Sequence, residues 1–192
     1  MGMPAGITAR RDWTLDEFYA ARDAAPFGER WEYVDGEVLV TPSPHWTHQR
    51  HVTALLVRFA PFVEQHSLGM IFTAPLDVLL DPRLVLQPDV LVVPPGELRR
   101  KSDVIRHLLL AIEIVSPSSA RHDRVIKRPR YQRNRVPDYW IFDGESRTVD
   151  RWGPDDTRPE QLSDELRWHP PGASQPFVLD LDAFFRETAP EE

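Results

Sequence analysis

Leu108-Leu109-Leu110-Ala111-Ile112-Glu113-Ile114-Val115, followed by Ser116-Pro117-Ser118-Ser119, is the stretch on which the fold turns. It is apolar except for Glu113, the composition of a strand buried on both faces in the middle of a sheet. Moving upstream, Asp89 to Val93 is a short β-branched run closed by Pro94-Pro95-Gly96, and Met70 to Leu80 alternates imperfectly before a turn at Asp81-Pro82-Arg83. Downstream, a helix is expected from Asp123, placed as an N-cap, to about Arg133. Pro129 would kink that helix or delay its start. Tyr139 to Asp143 and Thr148 to Trp152 read as the last two sheet strands.

The N-terminal part is also well signalled. Thr14-Leu15-Asp16-Glu17 is a capping-box pattern, Leu15, Phe18 and Tyr19 follow at helical spacing, and Pro26 and Gly28 end the helix. Trp31 to Val34 and Glu37 to Val40 flank Asp35-Gly36, a strong hairpin signal. After a loop at Thr41-Pro42-Ser43-Pro44, an amphipathic helix is expected from His45 to about His66, kinked or cut short by Pro61. No internal repeat and no linker divides the chain. The expectation is a single mixed α/β domain over residues 1–192, with a core at about 15–152. Residues 153–192 form a polar, Pro-rich extension until Phe177 to Phe185, which reads as a short strand and a terminal helical turn.

Composition narrows the classes. The 192 residues are 41% hydrophobic and 28% charged, with 19 Pro and no Cys, so neither a disulfide framework nor a thiolate zinc site is available. No apolar run approaches the roughly 18 residues of a membrane span, and Met1 to Arg11 holds no secretory signal, so a cytoplasmic chain off the membrane is expected. A net charge of −7 argues against indiscriminate coating of nucleic acid. Yet Arg121, Arg124, Lys127, Arg128, Arg130, Arg133 and Arg135 crowd one segment against a single acid, Asp123. That patch either faces phosphate or is a solvated helix face.

Three acids stand where acids are unwelcome. Glu113 interrupts the apolar strand, Asp89 follows Pro88 at the start of another, and Glu32 or Glu37 comes from the hairpin. Carboxylates gathered from separate strands repel one another, and a divalent cation joins them, Mg²⁺ or Mn²⁺ for oxygen ligands. The alternative is that Glu113 pairs with Arg or Lys and Asp89 caps a turn. Asp77 and Gln87 are further polar candidates near the same strands. His45, His48 and His51 invite a zinc reading, but on a helix the outer two diverge by roughly 120°. Trp140 and Tyr139 fit core packing better than base stacking.

The motifs combine. Pro88-Asp89, then Glu113-Ile114-Val115 after 23 intervening residues, resembles the PD-(D/E)XK nuclease signature. Tyr33-Val34-Asp35-Gly36-Glu37, Ser43-Pro44 with His48, Gln87-Pro88-Asp89-Val90, Glu113 to Ser119, Asp123-(x)₃-Lys127-(x)₃-Tyr131 and Val136-Pro137-Asp138-Tyr139-Trp140-Ile141-Phe142-Asp143 follow in order. Over roughly Leu15 to Trp152 the chain resembles the Uma-two restriction endonucleases of the restriction-endonuclease-like superfamily. The resemblance implies an α/β, restriction-endonuclease-like fold with a mixed central sheet flanked by helices. It also implies Asp89, Glu113 and Lys127 as catalytic residues, Asp89, Glu113 and Glu32 as ligands of Mg²⁺ or Mn²⁺, and a homodimer. Glu37, Asp77, His48 and Gln87 are possible supports. Val115 stands where the superfamily has Lys, and Lys127 matches the helical position that takes over in this family. Asn134-Arg135 replaces a Gly before Val136, with Asn134 expected to take the left-handed conformation.

Two functions follow. One is a metal-dependent endonuclease hydrolysing DNA, with Arg121, Arg124, Arg128 and Arg130 on backbone phosphates. The other is a nuclease-like fold without the chemistry, serving as a nucleic-acid-binding or regulatory module. A Lys127 turned to solvent, or acids paired off by Arg, would favour the second.

Overall fold

The computed structural model describes residues 12–25, 28–41, 43–98, 104–116 and 119–190. The expectations at Met1–Arg11, Pro26, Pro42 and Pro117-Ser118 lie outside the described residues. In order, the elements are α1 (Leu15–Asp23), β1 (Arg30–Val34), β2 (Glu37–Thr41), α2 (Trp46–Gln65), β3 (Met70–Thr73), β4 (Val78–Asp81), β5 (Leu84–Leu86), β6 (Val90–Val93), α3 (Pro95–Leu98) and β7 (Leu110–Val115). A π-helical segment (His122–Lys127) leads directly into α4 (Arg128–Arg133). β8 (Asp138–Asp143), β9 (Thr148–Trp152), β10 (Glu160–Leu162), β11 (Glu165–Trp168), β12 (Phe177–Asp180) and α5 (Leu181–Thr188) complete the chain.

Two sheets face each other. The larger runs β10-β9-β8-β7-β6-β3 and is mixed: β7 and β8 are parallel, and the other neighbours are antiparallel. The smaller runs β2-β1-β5-β4 and is antiparallel throughout. Side chains alternate across a strand, so each strand of the large sheet divides between two cores. Leu110, Ile112, Ile114, Trp140 and Phe142 pack with α2 and α5, while Ala111, Tyr139, Ile141 and Leu91 meet Val34, Leu84 and Leu86 of the small sheet. The parallel β7–β8 pair needs a crossover, supplied by the π-helical segment and α4 on the side of the small sheet. Glu113 shares the parity of Ala111, so it points into the layer between the sheets, beside that crossover.

Local chemistry explains most elements. Thr14 and Glu17 complete the capping box. The hairpin closes through Asp35 and Gly36, both at positive φ (53° and 95°), as its tight turn requires. Several expectations are corrected. Pro61 neither ends nor shortens α2, which continues to Gln65. The single run Met70 to Leu80 is two strands that pair with different sheets, and β5, β10 and β11 carry too few residues for an alternation to show. The segment after Gly153 is no mere appendage: β10 extends the large sheet, and Leu166, Trp168, Phe177, Phe184 and Phe185 are buried in its core.

The helix expected from Asp123 already has a helical residue at Ala120, and its first turns are wide. The Arg128 N–H reaches back five residues to the Asp123 carbonyl. Pro129 has no N–H to give and its ring crowds the preceding turn, which a widened turn accommodates. Side chains serve nearby carbonyls instead: Arg128 Nε donates to Arg124 O and Arg130 Nη1 to Ile126 O. Nor does Asn134 take the left-handed conformation. Its φ is −87° and its amide donates to Arg130 O, while Arg135 is left-handed at 56°.

Gly69, at φ +122°, precedes the edge strand β3, where a Cβ would lie 1.9 Å from the Val93 carbonyl oxygen. Gly69→Ala is therefore expected to destabilise by ~2 kcal/mol or more, a loss of roughly 5 °C in melting temperature by calorimetry. A melt unchanged from that of the wild type would refute the close approach.

Candidate active site

Four carboxylates meet in the layer between the sheets. Asp89 directly precedes β6, and Glu113 lies on the adjacent, antiparallel β7. Glu32 comes from the inner face of β1, and Asp123 from the π-helical segment. All four side chains are at most 4% exposed. Left alone, so much buried negative charge would not fold.

Two cations compensate. Lys127, itself buried, places Nζ 3.0 Å from Glu32 Oε1, 3.1 Å from Glu113 Oε1 and 3.2 Å from Asp123 Oδ1. Arg30 places Nη1 2.5 Å from Asp89 Oδ1, and Nη2 3.3 Å from Glu113 Oε2 and 3.6 Å from Glu32 Oε1. Further polar groups fix the orientations. The Ile114 N–H donates to Asp89 Oδ2 at 2.7 Å, His48 Nε2 lies 3.0 Å from the same oxygen, the Gln87 N–H donates to Glu32 Oε1, and the Tyr131 hydroxyl donates to Glu113 Oε1.

The balance remains negative, and the proton affinities show it. Burial pushes Glu113 up to about 8; Lys127 opposes the rise, and the charges of Asp123 and Asp89 add to it. Asp123 is raised as well, first by burial. Asp89 also suffers burial, but Arg30 and His48 together hold it well below the ordinary carboxylate range. Burial works against the charge on Lys127, yet Glu113, Glu32 and Asp123 keep it firmly protonated. His122, near Glu32, is driven down to about 4 by burial and by Lys127.

The sequence-derived candidates divide. Asp89, Glu113, Lys127, Glu32 and His48 come together. Glu37 pairs with Val34 and so shares the face of Glu32, but it lies at the hairpin end of β2, where it is exposed. Asp77 accepts a hydrogen bond from the Gln87 side chain and pairs with Arg22, one step removed from the cluster. His45 caps α2, and His51 binds the Thr47 carbonyl and packs against Phe184, so the three histidines serve separate ends. In the basic segment, Arg124 pairs with Asp143 and Asp150, Arg130 and Arg133 with Asp35, and Arg135 with Asp155. Arg128 lies over the Trp152 ring, and Arg121 is exposed. Sequence reasoning gives Arg30 and His122 no role, reads Asp123 as a cap, and carries Tyr131 only as the end of the Asp123-(x)₃-Lys127-(x)₃-Tyr131 motif. The signal for Arg30 is its two-residue spacing from Glu32, which puts both on one face of a strand.

Hard oxygen donors with surplus negative charge suit Mg²⁺ or Mn²⁺. Among the described residues no three His, Asp or Glu side chains are arranged to hold a metal ion. Asp89 and Glu113, however, form the two-carboxylate pair that Mg²⁺ uses while keeping most of its waters. The donor set fits an open site of that kind, with the Arg30 guanidinium bridging the two carboxylates.

A mixed sheet crossed by a helix, with one acid at the start of a strand, another on the strand beside it and a lysine delivered by the crossover, defines the nuclease-like class of α/β fold. A solved structure from Anabaena variabilis ATCC 29413, described as a putative nuclease belonging to DUF820, shares this fold with a TM-score of 0.74 at 21% identity. The match covers 92% of this chain and 99% of that one. The Uma2 family model, described as "putative restriction endonuclease", matches residues 15–181, and the chain belongs to that family. The match runs well past Trp152, as expected of a C-terminal part that shares the core. No curated protein matches the chain. Among the described residues no helix is long and apolar enough to cross a membrane.

Proposed function

We propose that this chain is a single-domain, metal-dependent endonuclease that hydrolyses DNA phosphodiester bonds. The observation that carries the reading is Lys127: a buried ammonium within 3.2 Å of three carboxylates, beside the strand pair that bears Asp89 and Glu113. Such a cluster is costly for stability, and hydrophobic residues of similar volume would serve the core at least as well. A cluster of that cost points to chemistry, because strongly perturbed acids and bases concentrate at functional sites.

Asp89 and Glu113 would hold Mg²⁺ or Mn²⁺, with Glu32 in support. When bound, that ion supplies Lewis acidity at a phosphate oxygen and makes water a better nucleophile at neutral pH. Ile114 N–H and His48 fix the plane of the Asp89 carboxylate. Lys127, held by Glu32 and Asp123, offers a fixed positive charge toward negative charge developing on the phosphate. Of the four arginines expected on backbone phosphates, Arg121 alone is fully exposed, while Arg124, Arg128 and Arg130 would engage one only by leaving their present partners. A homodimer, one copy per strand, is the assembly this reading expects, and the cytoplasm its setting.

The test is cleavage of supercoiled and linear duplex with Mn²⁺ or Mg²⁺, against EDTA and against Asp89→Asn. Nicking that requires the ion and falls at least about 100-fold in the variant is the expected result. Cleavage indifferent to both would overturn the metal mechanism. A second reading, a binding module without chemistry, draws on one observation: Arg30 pairs with both acids. Retention of duplex with no cleavage under any divalent ion would favour it.

A further inference from the structure

Arg30 opens β1, and two-residue alternation puts it on the same inner face as Glu32. Its guanidinium links Asp89 Oδ1 to Glu113 Oε2, while Asp89 Oδ2 is taken by the Ile114 N–H and His48 and Glu113 Oε1 by Lys127 and Tyr131, so it occupies the oxygens that a divalent cation shared by the pair would need. Lys127 reaches Glu32, Glu113 and Asp123 and makes no ion pair with Asp89. Arg30 is thus the cation that compensates the carboxylate pair itself.

Three features mark it as a removable counter-ion rather than a permanent plug. Its side chain is 19% exposed, against 3% or less for Asp89 and Glu113, so it is more open to water than the carboxylates it joins. Each carboxylate receives one N–H from it, not the paired N–H bonds of a strong arginine–carboxylate fork. Its Nε is buried with no hydrogen-bond partner among the described residues, although a guanidinium built to stay would have its donors met.

We propose, resting on the nuclease reading above, that Arg30 is the resident counter-ion of the site and competes with the divalent cation for Asp89 and Glu113. It holds the two carboxylates in register before the ion arrives, and the ion binds only as the guanidinium withdraws. Metal affinity is therefore set by Arg30 as well as by the acids, and the wild-type chain binds its ion more weakly than its carboxylates alone would.

The experiment is calorimetric titration of Mn²⁺ into the wild type, Arg30→Lys, Arg30→Met and Asp89→Asn, with thermal melts of each in EDTA and in Mn²⁺. Arg30→Met should bind about tenfold tighter than wild type or better, with Arg30→Lys in between, since an ammonium lacks the bridging fork. Both variants should melt lower in EDTA and gain more from Mn²⁺ than the wild type does. Should Arg30→Met fail to fold, Arg30→Lys carries the same comparison. Binding that needs Asp89 but is no tighter in either Arg30 variant overturns this proposal and leaves the metal site standing. Binding unaffected by Asp89→Asn, or absent from all four chains, removes the metal reading and this proposal with it.

Discussion

Lys127→Met is expected to cost about 3–5 kcal/mol of stability, roughly 6–20 °C in melting temperature, and to abolish detectable cleavage. Met nearly matches the stem of Lys, so packing against the sheets survives and the loss isolates the charge. Without the ammonium, Glu32, Glu113 and Asp123 keep only Arg30 as a cation, and Arg30 reaches Glu32 at 3.6 Å and Glu113 at 3.3 Å. Buried carboxylates without partners relieve themselves by taking protons, so the penalty should shrink in acid. Melting curves of wild type and variant at pH 5 and pH 8 check this, and a deficit equal at both would show that packing was lost instead. Lys127→Arg separates charge from shape: it should recover much of the stability, while a planar fork in a site built around one nitrogen should recover little cleavage.

Glu113→Gln is expected to stabilise the metal-free protein in mild alkali relative to wild type while removing metal binding and cleavage. A carboxyl whose folded pKa is raised holds its proton better folded than unfolded. Its contribution is complete below the unfolded value, near 4.5, and is lost as pH climbs toward about 8. A tenfold change in proton affinity is worth about 1.4 kcal/mol, so the full effect is a few kcal/mol. His122 acts in the opposite sense: driven down to about 4, it adds stability as pH rises from there to about 6.5. The two roughly cancel in mild acid, which leaves a net decline of the wild type between about pH 6.5 and 8. Thermal melts in EDTA across that range should show the decline in wild type and a flat profile in Glu113→Gln, and Mn²⁺ should abolish it in wild type alone. A flat wild-type profile would mean that Glu113 ionises without cost.

Much of this was legible in the chain, and the failures share a cause. The hairpin at Asp35-Gly36 and the capping box at Thr14 are local chemistry, and local chemistry is written in consecutive residues. The buried strand around Glu113 betrayed itself because a lone acid in an apolar run demands a reason. Asp89 stood out as an acid at the start of a strand, whereas Lys127 came from a family pattern, since nothing near it distinguishes it from the other cations of its segment. Asp123 was misjudged because an acid ahead of a helix usually caps it, and only the tertiary position of Lys127 shows that both face the cluster. Arg30 went unnoticed because its partners lie 59 and 83 residues away. The basic segment promised a phosphate-binding face, but Asp35, Asp143, Asp150 and Asp155, remote in sequence, already engage much of it.

The wide turn ahead of Pro129 holds one residue more than an ordinary α turn would. A residue taken from Val125-Ile126 would let the helix close to α geometry and bring Asp123 and Lys127 from four residues apart to three. Residues three and four apart share a face of a helix, so the acid and the ammonium would still turn toward Glu113. Such a shortening should therefore spare the cluster far better than loss of Lys127 does, and its cost should fall on the room that the wide turn leaves for the Pro129 ring.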